Sequence, residues 1–559
     1  MLKSRSRKRP WREGTMGSVH LDSRTGGSGR VGEGRPGISM TARCAACIIA
    51  LFALRPAIAG EEPKLMPAPG GGPSAGSIGL TAPLTEPLAL TVPGAVLMAL
   101  ERNRELSVER VRPEISRTVA LEREGVFVPR LVGNEIGWKE VEGQYLRGFG
   151  TVTNFRTDSP VGRLGVESFL WTGARVGFNA ETTVDDRSAE QQLLRSRLGL
   201  TVAQPLLQGG RREVNLARVR AARVDADVST FELRGFTERL VGLVEQACWD
   251  YALYRRETEI LDESIVSAKQ LLEETGERVR IGTLPRVELA AANSEISLRQ
   301  QELIDARAAA EKARLQLIRL LNPPGEAPWD RELVLTADLS IPVEAPAEVG
   351  EHVAAALRQR PELKQAELLV ERGDVDIVRT RNGLLPRMDL FVSLGRSSYA
   401  DSFGDSWHSG DTFNDLFAGI SFDIPLRRKA ERAQHTRAVL QRGQAAEALA
   451  NIRQLVELEV RTAWVEVERA RLKAGAAAVT RALDEEKLQA EWEKHRIDRS
   501  SAFQVARAQR DLARSRIAEV ESLAEGRKAL AELARLDGSL LDRRSILVPA
   551  SAPDSSNLR

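Results

Sequence analysis

Five histidines and three cysteines are the side chains best suited to metal or redox chemistry in this chain, and their spacing supports neither. His20, His352, His408, His435 and His495 are scattered, with no H-E-x-x-H and no paired spacing that would set two imidazoles on one helix face. Cys44 and Cys47 form a C-x-x-C, but they lie inside an apolar N-terminal stretch without a βαβ context, and Cys248 stands alone far downstream. No G-x-S-x-G, phosphate-binding glycine loop or dinucleotide fingerprint stands between a strand and a helix. Glu and Asp occur mixed with Lys and Arg along helical stretches, the pattern of solvated ion pairs rather than of acid/base dyads. The reading is therefore of a protein that is not an enzyme, with no catalytic residue, metal or cofactor. Lys and Arg (80) nearly balance Asp and Glu (78), so no net field recruits nucleic acid.

What the sequence does carry is duplication. Residues Val92 to Leu106 align with Val349 to Leu363, so that Leu100 falls on Leu357, Glu105 on Glu362 and Leu106 on Leu363. The same offset of 257 carries "VPRL" at Val128 onto "LPRM" at Leu385. An offset kept across a helix and the strand start after it implies duplication of a large unit. The expected organisation is a signal and N-terminal extension over 1–59, a flexible linker over 60–90 and a first repeat over 91–321. A connector over 322–348, a second repeat over 349–537 and a C-terminal tail over 538–559 complete it. The signal reading rests on "CAACIIALFAL" (Cys44 to Leu54), preceded by Arg43 and followed by Ala57-Ile58-Ala59, a small-x-small cleavage pattern. That run is too short for a spanning helix, which needs about 20 residues.

Within each repeat the hydrophobic period changes twice. Leu240, Val244, Ala247, Tyr251, Tyr254, Thr258, Leu261, Ile265, Ala268 and Leu272 alternate steps of four and three, a heptad seam, on a helix expected from about Arg211 to Ile281. Val456, Val460, Ala463, Val467, Ala470, Ala474 and Ala477 repeat the device. Partner helices from about Pro285 to Leu321 and from Ser500 to Leu536 make each copy a long helical hairpin. Ahead of these, within 130–204 and 387–424, the period is two, as a strand requires. Leu416, Ala418, Ile420, Phe422 and Ile424 share one face, and Val176, Phe178 and Ala180 another such face.

Pro129, Pro205, Pro386 and Pro425 mark the corners between sheet and helix, because proline cannot donate to a ladder and belongs at strand ends. Pro129 to Pro205 spans 76 positions and Pro386 to Pro425 spans 39, so the first copy carries a 37-residue insertion. More than half of the aromatic residues fall in the windows 127–183 and 391–422, the girdle pattern of a transmembrane β-barrel. One membrane hairpin per copy gives four strands per protomer, too few to close, since bacterial barrels have at least eight. Several protomers must then share one barrel, with the long helices as a hollow cylinder below.

At this point the chain resembles a TolC-type outer-membrane factor over nearly everything from Leu90 to Leu536. The resemblance is carried by the "ALxxRxEL"-like helix in both copies, the "QPLLQGGRR" corner at Gln204, its "IPLRRK" counterpart ending at Lys429, and the "RIGTLPRVEL" turn at Arg280. It implies a mixed, mainly α fold: a homotrimer with a 12-stranded barrel in outer-membrane lipid and an α-helical tunnel extending into the periplasm. It also implies that the hairpin tips meet a periplasmic adaptor of an inner-membrane transporter. The tips correspond to Gly282, Thr283 and Leu284 in the first copy and Ile497, Arg499 and Ser500 in the second. Gly282 suits a left-handed helix cap, where the second copy has Asp498. Acidic residues that constrict the bore in well-known members are replaced here by Gln504 and Arg507, while Glu288 in the first copy supplies one carboxylate.

The expected function is a passive exit duct of a tripartite efflux system. The alternatives are the duct of a type I protein secretion system and, from another class, an exported coiled-coil scaffold or periplasmic adaptor.

Overall fold

The computed structural model describes residues 88–546, apart from 148–150, 186–192, 325–327, 337–338, 340–343, 401, 409–410 and 498. The expected signal segment with Cys44 and Cys47, most of the linker and Asp498 lie outside the described residues. The first copy begins with β1 (Leu88–Thr91) and the helices α1 (Val92–Arg102), α2 (Arg104–Glu109) and α3 (Val111–Glu124). Four strands follow, β2 (Arg130–Arg147), β3 (Thr151–Phe169), β4 (Arg175–Asp185) and β5 (Leu193–Pro205), and then the hairpin of α4 (Ala217–Arg280) and α5 (Val287–Leu321). After β6 (Leu333–Thr336), the second copy repeats the plan. It has α6 (Val349–Gln359), α7 (Pro361–Gly383), β7 (Arg387–Ala400), β8 (Asp411–Asp423), α8 (Lys429–Arg496) and α9 (Ala502–Leu536).

The 64 residues of α4 and 68 of α8 make rods of about 96 and 102 Å at about 1.5 Å per residue. The expected seams are the faces they bury. Leu240, Val244, Ala247, Tyr251, Leu261, Ile265 and Ala268 are covered on α4, as are Val456, Val460, Ala463, Val467, Ala470 and Ala474 on α8. Tyr254, Thr258, Leu272 and Ala477 are half-buried. Small Ala and Val side chains on α8 allow close helix approach.

A clamp around the waist of the rods fixes the two copies. Thr91 caps α1 by accepting the Gly94 N–H at 3.2 Å, and Asn103 caps α2 through Leu106 N–H at 2.9 Å while donating to the Leu320 carbonyl at 3.0 Å. These caps aim Val92, Ala95, Val96 and Ala99 at Leu240, Val244, Leu317 and Leu321. β1 and β6 pair in parallel, and the Tyr251 hydroxyl donates to the Leu333 carbonyl at 2.8 Å. In the second copy Ala356 and Leu363 close over Val456, Val460, Val467 and Leu533.

The main sheet is antiparallel in the order β2-β3-β4-β5-β7-β8, the second copy joining the first through β5 and β7. It has six strands where four were expected. The additional length in the first copy folds as a second hairpin, so that region forms four strands and its counterpart two. Pro129 precedes β2 and Pro386 precedes β7; Pro205 is the last residue of β5 and Pro425 lies just past β8. Each therefore sits where a missing N–H breaks no ladder.

Two consequences for stability follow from this packing. Leu317 is fully buried at the waist, and Leu317→Ala is expected to cost about 2–5 kcal/mol, read from the shift of the chemical unfolding midpoint. Glu238 on α4 is 3 % exposed, and burial pushes its carboxyl up to about 7, with Arg234 at 3.1 Å only partly offsetting that. The folded state thus holds a proton that the unfolded chain releases near 4.5, so stability falls as pH rises from 4.5 through about 7. Glu238→Gln is expected to flatten that slope in unfolding measured on either side of the window.

Candidate functional site at the hairpin tips

Both hairpins turn in the same way. At the first tip Gly282 takes φ +82°, its N–H bonds to the Val279 carbonyl at 3.1 Å, and the Thr283 N–H reaches back to Arg278 at 2.9 Å. This is the left-handed helix cap expected of Gly282. The Thr283 hydroxyl donates to the same Arg278 carbonyl at 2.8 Å. At the second tip the Arg499 N–H bonds to the Lys494 carbonyl at 2.8 Å, the equivalent five-residue reach.

The second tip has a further tether that its sequence did not announce. His495 is 1 % exposed; its Nδ1 lies 2.9 Å from the Ser500 carbonyl and must carry the hydrogen, because a carbonyl only accepts. Ser500 Oγ in turn donates to Glu491 at 2.7 Å. His495 Nε2 is buried without a hydrogen-bond partner, 3.9 Å from a Glu274 carboxylate oxygen on the first hairpin. The corresponding residue of the first copy is Val279, so only the second turn is held this way. A lone histidine has no spacing partner in the sequence, and its position four residues before the turn was the only available signal.

Around these turns the surface is apolar in duplicate. Ile281 and Ile497 occupy equivalent places, as do Val287 and Phe503, and all four are exposed. Ion pairs on the same surface, such as Arg280 with Glu277 at 2.7 Å and Lys494 with Glu491 at 2.7 Å, lie in solvent and contribute little to stability. Above the turns Leu271 of the first hairpin packs on Ala502, Val505 and Ala506 of the second, which holds the two tips together.

Two of the three residues expected at the aperture, Glu288 and Arg507, meet in one cleft between α5 and α9, and Gln504 does not line it. Glu288 and Arg507 both line it, together with Phe503, Glu295 and Arg510, but no ion pair joins Glu288 to Arg507 within the protomer. Gln504 stands at the start of α9, where its backbone N–H is capped by Ser501 Oγ at 3.3 Å. The paired acid of this cleft is Glu295, 3.3 Å from both Arg510 and Arg299. Arg299 is 1 % exposed and donates to the carbonyls of Ser264 on α4, at 2.8 Å, and Ala506 on α9, at 3.0 Å. Burial lowers its pKa, and Glu295 opposes that shift. One guanidinium thus staples three helices just above the tips.

A duplicated protomer with an open six-stranded sheet and two long helical hairpins has the build of a channel-tunnel subunit. The description "outer membrane efflux protein" matches residues 175–323 and 353–539, one stretch in each copy, and the chain belongs to this family. Its members are channels, not enzymes. The fold is similar to that of CusC (TM-score 0.60, 16 % identity, covering 83 % of this chain and 95 % of that one). It is similar also to the CmeC outer membrane channel of Campylobacter jejuni (0.59, 14 %, 80 % and 86 %) and the outer membrane protein VceC of Vibrio cholerae (0.58, 13 %, 80 % and 96 %). Among curated proteins no relative matches the sequence.

Removing Arg299 takes one donor from each of two buried helix carbonyls and leaves Glu295 with Arg510 alone. Arg299→Met is expected to cost about 3–5 kcal/mol and to open the tip ends of the helices to limited proteolysis, with cleavage rates as the measurement.

Proposed function

We propose that this chain is the outer-membrane duct of a tripartite exporter. Three copies form a passive conduit from periplasm to exterior, and their tips dock a periplasmic adaptor that links them to an inner-membrane transporter. The observation that carries this reading is a bare heptad stripe on α8. Leu458, Val465, Leu472 and Val479 recur every seven residues and are 58 to 62 % exposed, on the face opposite the filled seam. A rod of about 100 Å with one seam packed inside the protomer and a second open to water calls for another helix along it. A neighbouring copy supplies that helix and closes the tunnel.

Chemistry at the tips supports the adaptor. Ile281, Val287, Ile497 and Phe503 offer exposed apolar anchors at two equivalent turns, beside ion pairs such as Arg280–Glu277 and Lys494–Glu491, which suits the end of a helical hairpin. Gly282, Thr283, Leu284, Ile497, Arg499 and Ser500 form the contact. Glu288, Gln504 and Arg507, brought together from three copies, line the aperture and set its charge.

Val465→Asp with Leu472→Asp is expected to abolish the detergent-resistant oligomer while leaving the protomer folded by circular dichroism; an unchanged oligomer would refute the helical interface. Photo-crosslinkers at Thr283 and Ser500 are expected to capture one periplasmic adaptor, and capture at neither position counts against docking there. Glu288→Gln and Arg507→Ala should shift ion selectivity in planar bilayers in opposite directions, and identical currents in both would remove these residues from the aperture.

A further inference from the structure

We infer that the two sheet-to-helix corners carry a basic belt that binds the anionic headgroups of phospholipids in the periplasmic leaflet. The inference rests on the membrane reading of the sheet proposed above and names what meets the lower rim of its apolar face.

That face ends at the corners. Along β8 and the segment after it, Leu416, Ala418, Ile420, Phe422, Ile424 and Leu426 follow one another on one side, and the polar Thr412 and Asn414 precede them. Phe422 is 75 % exposed and Leu426 wholly so. The register extends the same band to β7 and β5, with Leu416 beside Leu394 and Leu394 beside Leu200, then Ala418 beside Val392 and Val392 beside Val202. Leu206, whose N–H bonds to the Met388 carbonyl at 2.7 Å, brings the first copy to the same lower edge. The run from Leu416 to Leu426 covers about 33 Å at about 3.3 Å per residue, or about 25 Å of height at a strand tilt of about 40°. The apolar band of an outer-membrane wall has that height.

Cations begin directly below it. Arg211 and Arg212 follow in the first copy and Arg427, Arg428 and Lys429 in the second; Arg211 and Arg212 fall on Arg427 and Arg428 at the offset of 216 that also carries Leu240 onto Val456. Arg211, Arg212, Arg427, Lys429 and Arg432 are exposed, and among the described residues none of the five forms an ion pair. Arg212 lies instead over the ring of Trp171, 5.9 Å from its centroid, and Trp171 is itself exposed on the turn from β3 to β4. Arg428 donates to the Leu384 carbonyl and so ties the second corner to the end of α7. Within 205–216 and 425–432 the only carboxylates are Glu213 and Glu431. Farther along the same rods they return, with Glu124 2.7 Å from Arg223 and Asp374 3.0 Å from Arg442.

Unpaired guanidinium groups bordering hydrocarbon suit a ligand that brings phosphate and acyl chains together. A guanidinium fork matches phosphate oxygens, basic clusters beside a bilayer attract anionic lipids, and a Trp at the same level is the usual interfacial anchor. A soluble anion would have no use for the apolar border.

Spin-labelled phosphatidylglycerol and phosphatidylcholine, added separately to the protein in phosphatidylcholine membranes, test this through the fraction of label that the protein immobilises. Phosphatidylglycerol is expected to associate about fivefold more strongly at low salt, the equivalent of about 1 kcal/mol, and to lose that preference at about 1 M NaCl. Arg211→Gln, Arg212→Gln, Arg427→Gln and Lys429→Gln combined are expected to abolish it. Arg104→Gln, Lys269→Gln, Lys312→Gln and Arg358→Gln, which remove the same charge from exposed positions elsewhere, should leave it intact. No preference in the unaltered protein at low salt, a preference that survives high salt, or an equal loss in both variants overturns the belt while the membrane reading stands. If no form of the protein immobilises either lipid, the chain is not in the bilayer and the duct reading falls with the belt.

Discussion

β2 and β8 each leave one side of their backbone without a ladder partner, and in a hydrocarbon environment an unpaired N–H or C=O costs several kcal/mol. Every larger feature answers to that constraint. The sheet exposes a continuous apolar face, so water does not suit it, and its open edges do not suit lipid. Six strands are below the eight from which the smallest bacterial barrels are built, so the sheet cannot satisfy itself by curling. Closure through other copies removes both difficulties at once.

The helical tier follows the same logic with side chains instead of backbone. α8 fills one seam with Val456, Val460 and Val467 inside the protomer and leaves Leu458, Val465, Leu472 and Val479 bare on the other side. In the proposed assembly a helix with such a second face is a stave in a cylinder. The waist clamp of α1, β1 and β6, the Arg299 staple and the packing of Leu271 against Val505 keep two hairpins in register along roughly 100 Å. The tips thereby become a defined surface in which Ile281 and Val287 are matched by Ile497 and Phe503.

Most of this architecture was legible in the sequence because it repeats. Leu106 and Leu363, the four corner prolines and the two heptad seams each appear twice, and the periods of two and three-and-a-half are distinct over such lengths. β2 and β3 were legible only as surplus length. Their stretch contains Pro160, several glycines and many charges, which break the alternation by which a strand is recognised. The tips were located by the family resemblance and by aligning the two turns, and Gly282 by its need for a positive φ. Arg299 and His495 were not found. In sequence the first is one arginine among many on a charged helix and the second an isolated histidine, and only the meeting of three helices or the turn of the chain gives either its role. Glu288 and Arg507 do share a cleft, yet its ion pairs belong to Glu295, a residue that nothing in the helix pattern distinguished.

The central claim is that one chain is an incomplete wall and that copies complete it. Sedimentation equilibrium of the membrane-extracted protein in density-matched detergent measures this most directly. A single species of about three chain masses, insoluble once detergent is withdrawn, is the predicted result; a monodisperse single chain that stays soluble without detergent would contradict the account.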